Sequence, residues 1–150
     1  MENLNSVIFY NIEEAIKTYR MYAQNQLKIN QLKITIDQWL VLKCLKENPK
    51  ATQIELAEKV FKDNASITRI VDLLVKANFL QREINPNDRR KLNLKITGSG
   101  EKILDDVYKI VLKNRAKALE GISSEEIETV NTILKKISSN CKKIILLTFF

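Results

Sequence analysis

Apolar residues recur at a spacing of three to four along much of the chain, which is the period of an amphipathic helix. A dense apolar segment (36–45) follows Thr35 and Gln38, whose types and spacing are those of a capping box. We therefore predict a long amphipathic helix over residues 7–27 and a buried helix that begins after Thr35. The apolar stripe of the first helix consists of Ile8, Ile12, Ile16, Tyr19, Ala23 and Leu27.

A short helix is predicted after the buried one. Pro49 ends the buried helix, because proline lacks a backbone donor and disfavours helical geometry in the residue before it. Thr52 and Glu55 then have the form of a second capping box, in which each side chain satisfies a free backbone N–H at the start of a helix. The pattern predicts two consecutive helices separated by a loop.

The next helix, predicted over residues 65–77 and capped by Asp63 or Asn64, has two different faces. Its apolar face comprises Ile67, Ile70, Val71 and Leu74. Its other face comprises Ala65, Arg69, Asp72 and Lys76, with Ser66 and Thr68 at the edges. The N-terminal half of this helix therefore exposes small side chains that can form hydrogen bonds.

Two runs that alternate apolar and polar residues, 79–84 and 92–96, predict a β-hairpin. Asn78 precedes the first run, and asparagine tolerates the left-handed conformation that ends a helix. The intervening stretch, NPNDRRK (85–91), is predicted to form the tip. Its charged residues are Asp88, Arg89, Arg90 and Lys91.

Helices are predicted again after the hairpin. Thr97 and Ser99 offer caps for a helix over residues 100–119, and Ser123 with Glu126 has the form of a third capping box. The last helix continues an apolar stripe of Ile127, Val130, Ile133, Ile137, Cys141 and Ile144. In a monomer, the apolar stripes of the first and last helices could be buried by packing on the middle of the chain. Their length and the apolar tail favour a twofold homodimer formed through the termini.

The charge of the chain favours a polyanionic partner. Lys and Arg number 25 against 18 Asp and Glu, and the formal net charge is +7. Between Lys59 and Thr97 nine cations stand against four anions, so this quarter of the chain carries five of the seven excess charges. A basic surface attracts nucleic acid, although a solvated surface without a partner has the same composition.

The residue types argue against several other functions. Histidine is absent, so a nucleophile would need a lysine, a carboxylate or an amino terminus as its base, and no such constellation is present. We expect no enzyme activity and no cofactor. Cys44 and Cys141 are far apart and lack metal-ligand spacing, so we expect reduced thiols and no metal site. Neither a secretory signal nor an apolar run of membrane-spanning length occurs, and we expect a cytoplasmic protein with no membrane contact.

Two helices followed by a hairpin with a basic tip is the order of a winged helix-turn-helix. From about Thr35 to Gly100 the chain resembles the MarR family of bacterial transcriptional regulators, and similarity is weaker on both sides. The matching stretches are TIDQWLVLKCL (35–45), ATQIELAEKV (51–60), NASITRIVDLLVKANFLQR (64–82), NPNDRRKLNLKIT (85–97) and GISSEE (121–126).

The resemblance implies a mainly α fold in a single domain over residues 1–150. A winged helix-turn-helix with a two-stranded β wing, at about 35–100, would bind DNA. Helices at 1–34 and 101–150 would form the dimerisation region. The implied function is that of a ligand-responsive repressor, which binds a pseudo-palindromic operator in double-stranded DNA as a homodimer.

The resemblance also implies which residues contact DNA. Helix 65–77 would be the recognition helix, and its candidates for base or phosphate contacts are Asn64, Ser66, Thr68 and Arg69. Arg69 is the strongest of these, because an arginine can pair in bidentate fashion with guanine. We interpret Asp72 as a brace for Arg69 or Lys76, since a free carboxylate there would repel phosphate.

The wing motif of the family places Arg90 in the minor groove. Asp88 would hold its guanidinium through a charge-assisted hydrogen bond. Arg89 and Lys91 complete the group of wing residues expected at DNA. The chain departs from the family pattern at Asn78, where glycine is usual, and its lack of histidine removes the ligands that zinc-sensing members use.

Several alternatives stay open. A small-molecule effector would bind between the dimerisation region and the winged helix, where Tyr19, Tyr22 and Trp39 could line a pocket, although core packing also explains these aromatic residues. A thiol-based redox sensor would use Cys141, which lies next to two lysines, more readily than Cys44 in its apolar helix. A protein–protein interaction module would use the basic face for an acidic partner and bind DNA weakly at any sequence.

Overall fold

The computed structural model of the protein describes residues 3–85 and 88–148, except for the side chains of residues 88–92 and 146–148. Within that part, the chain forms a short 3-10 helix, six α-helices and one two-stranded sheet. In order these are the 3-10 helix (Leu4–Ser6), α1 (Ile8–Ile29), α2 (Ile36–Glu47), α3 (Gln53–Lys59), α4 (Asn64–Lys76), β1 (Leu80–Asn85), β2 (Asp88–Ile96), α5 (Gly98–Ala118) and α6 (Ser124–Thr148). The predicted mainly α winged-helix class is confirmed.

The chain divides into two compact units, residues 1–115 and residues 116–150. The first contains the helix-turn-helix and the wing. The second contains α6, whose start has the predicted capping box: the Ser123 N–H donates to Glu126 Oε2 at 2.8 Å, and the Glu126 N–H donates to Ser123 Oγ at 3.2 Å.

Local polar groups start the helices of the first unit at the predicted positions. Capping boxes formed by Thr35 with Gln38 and by Thr52 with Glu55 open α2 and α3. Of the two caps considered for α4, Asp63 is the one used, and Asn64 is the first helical residue. These short-range hydrogen bonds were readable from the sequence because both partners lie within three residues of each other.

The core of the first unit is continuous from α1 to α5. Its fully buried large side chains are Leu27, Leu42, Leu56, Ile67, Leu74 and Leu80, with Val41, Val71 and Val107. Trp39 of α2 is also buried, and its Nε1 lies 3.4 Å from the Leu104 carbonyl oxygen of α5. The predicted burial of α2 is therefore confirmed, and this core supports α4 from behind.

The wing is longer than predicted on its second strand. β1 and β2 are antiparallel, with Leu80 opposite Ile96 and Ile84 opposite Leu92. A register shift after Ile84 brings Asn85 opposite Asp88, so the strand begins at Asp88 and not at residue 92. The prediction that residues 88–91 belong to the tip was wrong for the backbone, because alternation alone does not reveal an irregularity that adds residues to one strand.

Two residues fix the base of the wing. Asn78 has φ of 60°, as predicted, and its carbonyl oxygen accepts a hydrogen bond from Thr97 Oγ1 at 2.6 Å. The same hydroxyl accepts from the Gly100 N–H at 3.0 Å and so caps α5. A Cβ on Gly100 would lie 2.2 Å from the Phe79 carbonyl oxygen, so only glycine allows this close approach.

The long helices at the two ends of the chain bury little of their apolar surface. In α1 the buried residues are Ala23 and Leu27, whereas Ile8, Phe9 and Ile16 are at least half exposed. Among the described side chains of α6 none is buried. No helix within the described residues is both long enough and apolar enough to span a membrane.

Candidate nucleic-acid interface

The recognition-helix candidate, α4, separates its core side chains from its outer side chains. Ile67, Val71 and Leu74 are fully buried and Ile70 is partly buried, as the apolar pattern predicted. Thr68 and Arg69 lie on exposed positions of the same helix. The core therefore fixes the rotation of α4 about its axis, and with it the direction in which Arg69 extends.

Asp63 organises the start of α4. Its carboxylate accepts hydrogen bonds from the Ser66 N–H at 2.7 Å and from Ser66 Oγ at 3.1 Å. The bond from the backbone N–H, followed by that from the hydroxyl, lowers the pKa of Asp63, so the cap weakens only when the pH falls through that lowered value. Ser66 is partly buried and its hydroxyl serves the cap in this structure.

The remaining polar side chains of the helix start differ in how firmly they are held. Thr68 Oγ1 donates to the Asn64 carbonyl oxygen at 2.9 Å and accepts from Gln53 Nε2 at 3.2 Å, which links α3 to α4. Asn64 is exposed. Within the part of the chain that the structure describes, no hydrogen bond or ion pair holds Arg69. Its guanidinium is thus free to meet a partner.

Asp72 does not brace Arg69 or Lys76, so that interpretation was wrong. Its Oδ1 accepts from Arg82 Nη2, and this ion pair connects α4 to β1 of the wing. The sequence spacing pointed to partners on the same helix. The actual partner lies ten residues further along the chain on a strand, and it reaches Asp72 only because the turn at Asn78 folds the strand back. Sequence reasoning had named Asp72 but missed Arg82 as its partner.

The described part of the wing carries its own cross-strand polar contacts. Lys95 Nζ lies 3.1 Å from Glu83 Oε1, and Asn85 Nδ2 donates to Asn93 Oδ1 at 3.1 Å. Such pairs stabilise a two-stranded ribbon. The backbone of β2 includes the four predicted wing residues, but their side chains lie outside the described residues: Asp88, Arg89, Arg90 and Lys91.

The aromatic residues proposed for ligand binding occupy different surroundings. Trp39 belongs to the core, whereas Tyr19 and Tyr22 are partly exposed on α1. An open groove of about 1010 Å³ runs between the second half of α1, the loop after it and the start of α2. Its walls include Arg20, Gln24 and Lys28 but none of those three aromatic residues.

The two cysteines differ in environment. Burial raises the pKa of the Cys44 thiol, and the nearby Glu47 carboxylate raises it further. Cys141 is exposed on α6. Neither forms a disulfide, and the described residues contain no group of three or more potential metal-ligating side chains.

Known proteins match both the sequence and the fold. The model of the MarR family matches residues 34–92. The apo form of wild-type MarR from E. coli is 25% identical and superposes with a TM-score of 0.73, covering 87% of this chain and 96% of that one. A mutant MarR from E. coli complexed with operator DNA is 25% identical with a TM-score of 0.80, covering 91% of this chain and 99% of that one. A probable transcriptional regulator from Pseudomonas aeruginosa is 25% identical with a TM-score of 0.79, covering 90% and 99%.

Proposed function

The chain carries a MarR-family winged-helix domain over residues 34–92, and from that premise we propose that it represses transcription by binding a pseudo-palindromic operator as a homodimer. The observation that carries the proposal is the construction of α4. Its inner face is buried, its outer face bears Arg69 without a partner among the described residues, and the surrounding quarter of the chain is strongly basic. The similarity to a MarR structure that contains operator DNA supports this assignment.

In the proposed complex α4 enters the major groove. Arg69 reads a base, because its guanidinium can form two parallel hydrogen bonds with guanine. Asn64 in the first turn of the helix and Thr68 in the second contact bases or phosphates. The hydroxyls of Ser66 and Thr68 both form hydrogen bonds within the protein, so each must exchange a bond to reach DNA, and we expect both to contribute less than Arg69.

The wing supplies the second set of contacts. We propose that Arg90 enters the minor groove, held by Asp88, and that Arg89 and Lys91 lie against phosphates. A guanidinium is attracted to a narrow minor groove by its concentrated negative potential. These contacts are less sensitive to base sequence than that of Arg69, so they position the protein and make binding depend on salt.

A twofold dimer would place two recognition helices on one operator. The support comes from apolar surface that the single chain leaves exposed on α1 and α6, including Ile8, Phe9, Val130 and Ile144, each more than half exposed. Joining such surface in a dimer stabilises it by about 25 cal/mol per Å² removed from water. Two half-sites about one helical turn apart would match this symmetry.

The groove beside α1 supports a small-molecule effector as part of the proposal. Its walls bring Lys28 and Lys33 around one opening that also includes the ion pair between Arg20 and Asp37, and the two lysines favour an anionic molecule. Tyr19, Tyr22 and Trp39 stay predictions as ligand contacts. Addition of the effector is expected to raise the dissociation constant of the protein for its operator.

The direct test measures binding of the purified protein to its own upstream DNA and to a scrambled duplex across a salt series. The repressor proposal predicts strong preference for the native fragment, with one dimer per symmetric site and a steep loss of affinity as salt rises. Equal weak binding to both duplexes would favour a protein–protein interaction module, and selection from random-sequence DNA would separate that outcome from an operator located elsewhere.

A redox-sensing variant of the proposal has one specific observation in its favour, the exposure of Cys141. Cys44 is disfavoured, since its raised pKa lowers the fraction of reactive thiolate. Alkylation of the native protein followed by peptide mapping tests this idea. Modification of Cys141 with loss of operator binding would support it, and binding that survives full modification of Cys141 would end it.

A further inference from the structure

A single carboxylate joins three parts of the DNA-binding unit. Asp37 lies in the first turn of α2, and its Oδ1 accepts from Arg20 Nη2 of α1. Its other oxygen, Oδ2, lies 2.9 Å from Lys62 Nζ, in the turn between α3 and α4. One side chain thus makes ion pairs with two residues, Arg20 and Lys62, that are 42 positions apart in the sequence.

Lys62 lies in a tightly specified turn. Phe61 has φ of 57°, and the Lys62 N–H donates to the Ala57 carbonyl oxygen at 2.9 Å, which closes the end of α3. The next residue, Asp63, is the cap that starts α4. A restraint on Lys62 therefore acts one residue before the cap of α4 and two before its first helical residue.

The three charges form a network and not an isolated surface pair. The side chains of Asp37, Lys62 and Arg20 are 28%, 33% and 38% exposed, so each is partly shielded from solvent. Asp37 also lies at the N-terminus of α2, where the helix dipole favours a negative charge. Loss of this carboxylate would leave two neighbouring cations without their shared partner, a larger change than the loss of one exposed pair.

We propose that Asp37 is a positioning residue for operator recognition: by pairing with both Lys62 and Arg20 it anchors the turn before α4 to α1. The inference rests on the proposed function, since it concerns how α4 is presented to DNA. In this arrangement Lys62 acts through Asp37 and not by contacting phosphate. Specific binding then depends on the pair, whereas binding to unrelated DNA does not.

The experiment compares Asp37→Asn, Lys62→Met, their double variant and Lys62→Arg in the full chain. Glu47→Gln and Lys43→Met serve as matched controls, because Lys43 and Glu47 form a separate ion pair at 3.1 Å on α2 that includes neither Asp37 nor Lys62. Operator and scrambled-duplex affinities are measured across a salt series. Hydrogen exchange of the α4 amides is measured in the DNA-free protein.

We expect Asp37→Asn and Lys62→Met each to weaken operator binding about two- to fivefold, in line with loss of a partly shielded ion pair. The double variant should bind no more weakly than Asp37→Asn alone, since Asp37→Asn already removes the ion pair that Lys62→Met would break. The salt slope and scrambled-duplex binding should stay unchanged, and Lys62→Arg should bind like the wild type. Amides in the first turn of α4 should exchange faster in the two single variants but not in the controls.

Two outcomes would overturn the inference. A salt slope reduced by about one in Lys62→Met, with full operator affinity in Asp37→Asn, would mean that Lys62 contacts a phosphate directly. Unchanged hydrogen exchange in α4 would mean that the network does not anchor the helix. Failure of the proposed function is recognised separately, because the wild-type protein would then show no preference for its operator while the exchange measurement still decides the role of Asp37.

Discussion

Helices α4 and α6 have the same kind of apolar stripe but differ in what the stripe contacts. In α4 the stripe residues Ile67, Val71 and Leu74 are fully buried by the rest of the winged helix. In α6 the stripe residues Val130, Ile133 and Ile144 are 45% to 65% exposed. A periodic pattern therefore identifies an amphipathic helix in both cases, while only the structure distinguishes a helix whose apolar stripe is buried within its own unit from one whose apolar stripe is exposed.

This difference assigns different tasks to the two helices. The buried stripe of α4 holds the helix in a fixed orientation, which the proposed base contact of Arg69 requires. The exposed stripe of α6 is suited to association, and we propose that a second copy of the chain covers it. Substitutions in α4 should then affect folding or DNA binding, and substitutions on the α6 stripe should affect the oligomeric state.

The largest effect is expected from Leu74→Ala in α4. Removing a fully buried leucine side chain leaves a cavity and should lower the free energy of unfolding by about 2–5 kcal/mol. Leu73→Ala is the matched control, because Leu73 is the adjacent residue and is 44% exposed. Chemical denaturation measures both variants. Equal losses for the two would contradict the burial pattern of α4.

The next largest effect is expected from Ile133→Glu on α6. If this stripe forms the dimer interface, a buried charge there should weaken dimerisation by about 2 kcal/mol or more, which analytical ultracentrifugation detects as monomer at micromolar concentration. Thr132→Glu places the same charge beside the stripe and should leave the dimer intact. A dimer that tolerates Ile133→Glu would place the interface elsewhere.

Features that depend on neighbours in sequence were predictable. The capping boxes at Thr35, Thr52 and Ser123 and the left-handed Asn78 were all read correctly, because each depends on residues within a few positions. The outward position of Arg69 followed from helical periodicity in the same way. The fold class and the exposed face of α4 could thus be predicted from the sequence.

Features that depend on distant partners were not predictable. Asp72 pairs with Arg82 across the turn into the wing, and Asp37 pairs with Lys62 across two helices. Charged residues of either sign occur nearby in both cases, so the sequence offers several possible partners. Only the course of the folded chain determines which of them forms the ion pair. The irregular register of the wing was missed for a related reason. Residues 88–91 do not alternate between apolar and polar side chains, so the pattern does not show whether they pair as a strand or form a turn.

A smaller effect, confined to DNA binding, is expected from Arg69→Ala. Loss of a bidentate base contact should cost about 1–3 kcal/mol of discrimination, so operator affinity should fall toward that of a scrambled duplex. Arg90→Ala provides the contrast, because loss of a wing cation should weaken binding to all sequences and reduce the salt slope by about one. Unchanged binding in both variants would contradict the site assignment.

The smallest effect should come from the ion pair between Asp72 and Arg82, which joins α4 to the wing. The two side chains are 57% and 34% exposed, so solvent screens the pair, and a double-mutant cycle with Asp72→Asn and Arg82→Met should give a coupling of about 0.2–1 kcal/mol in the free energy of unfolding. The pair between Lys95 and Glu83 lies wholly within the wing and serves as the control.

If the ion pair between Asp72 and Arg82 sets the angle between α4 and the wing, its two single variants should weaken operator binding by similar factors, because the proposed arginine and lysine contacts from both elements must reach DNA together. Loss of affinity in Arg82→Met alone, with a reduced salt slope, would instead identify Arg82 as a phosphate contact.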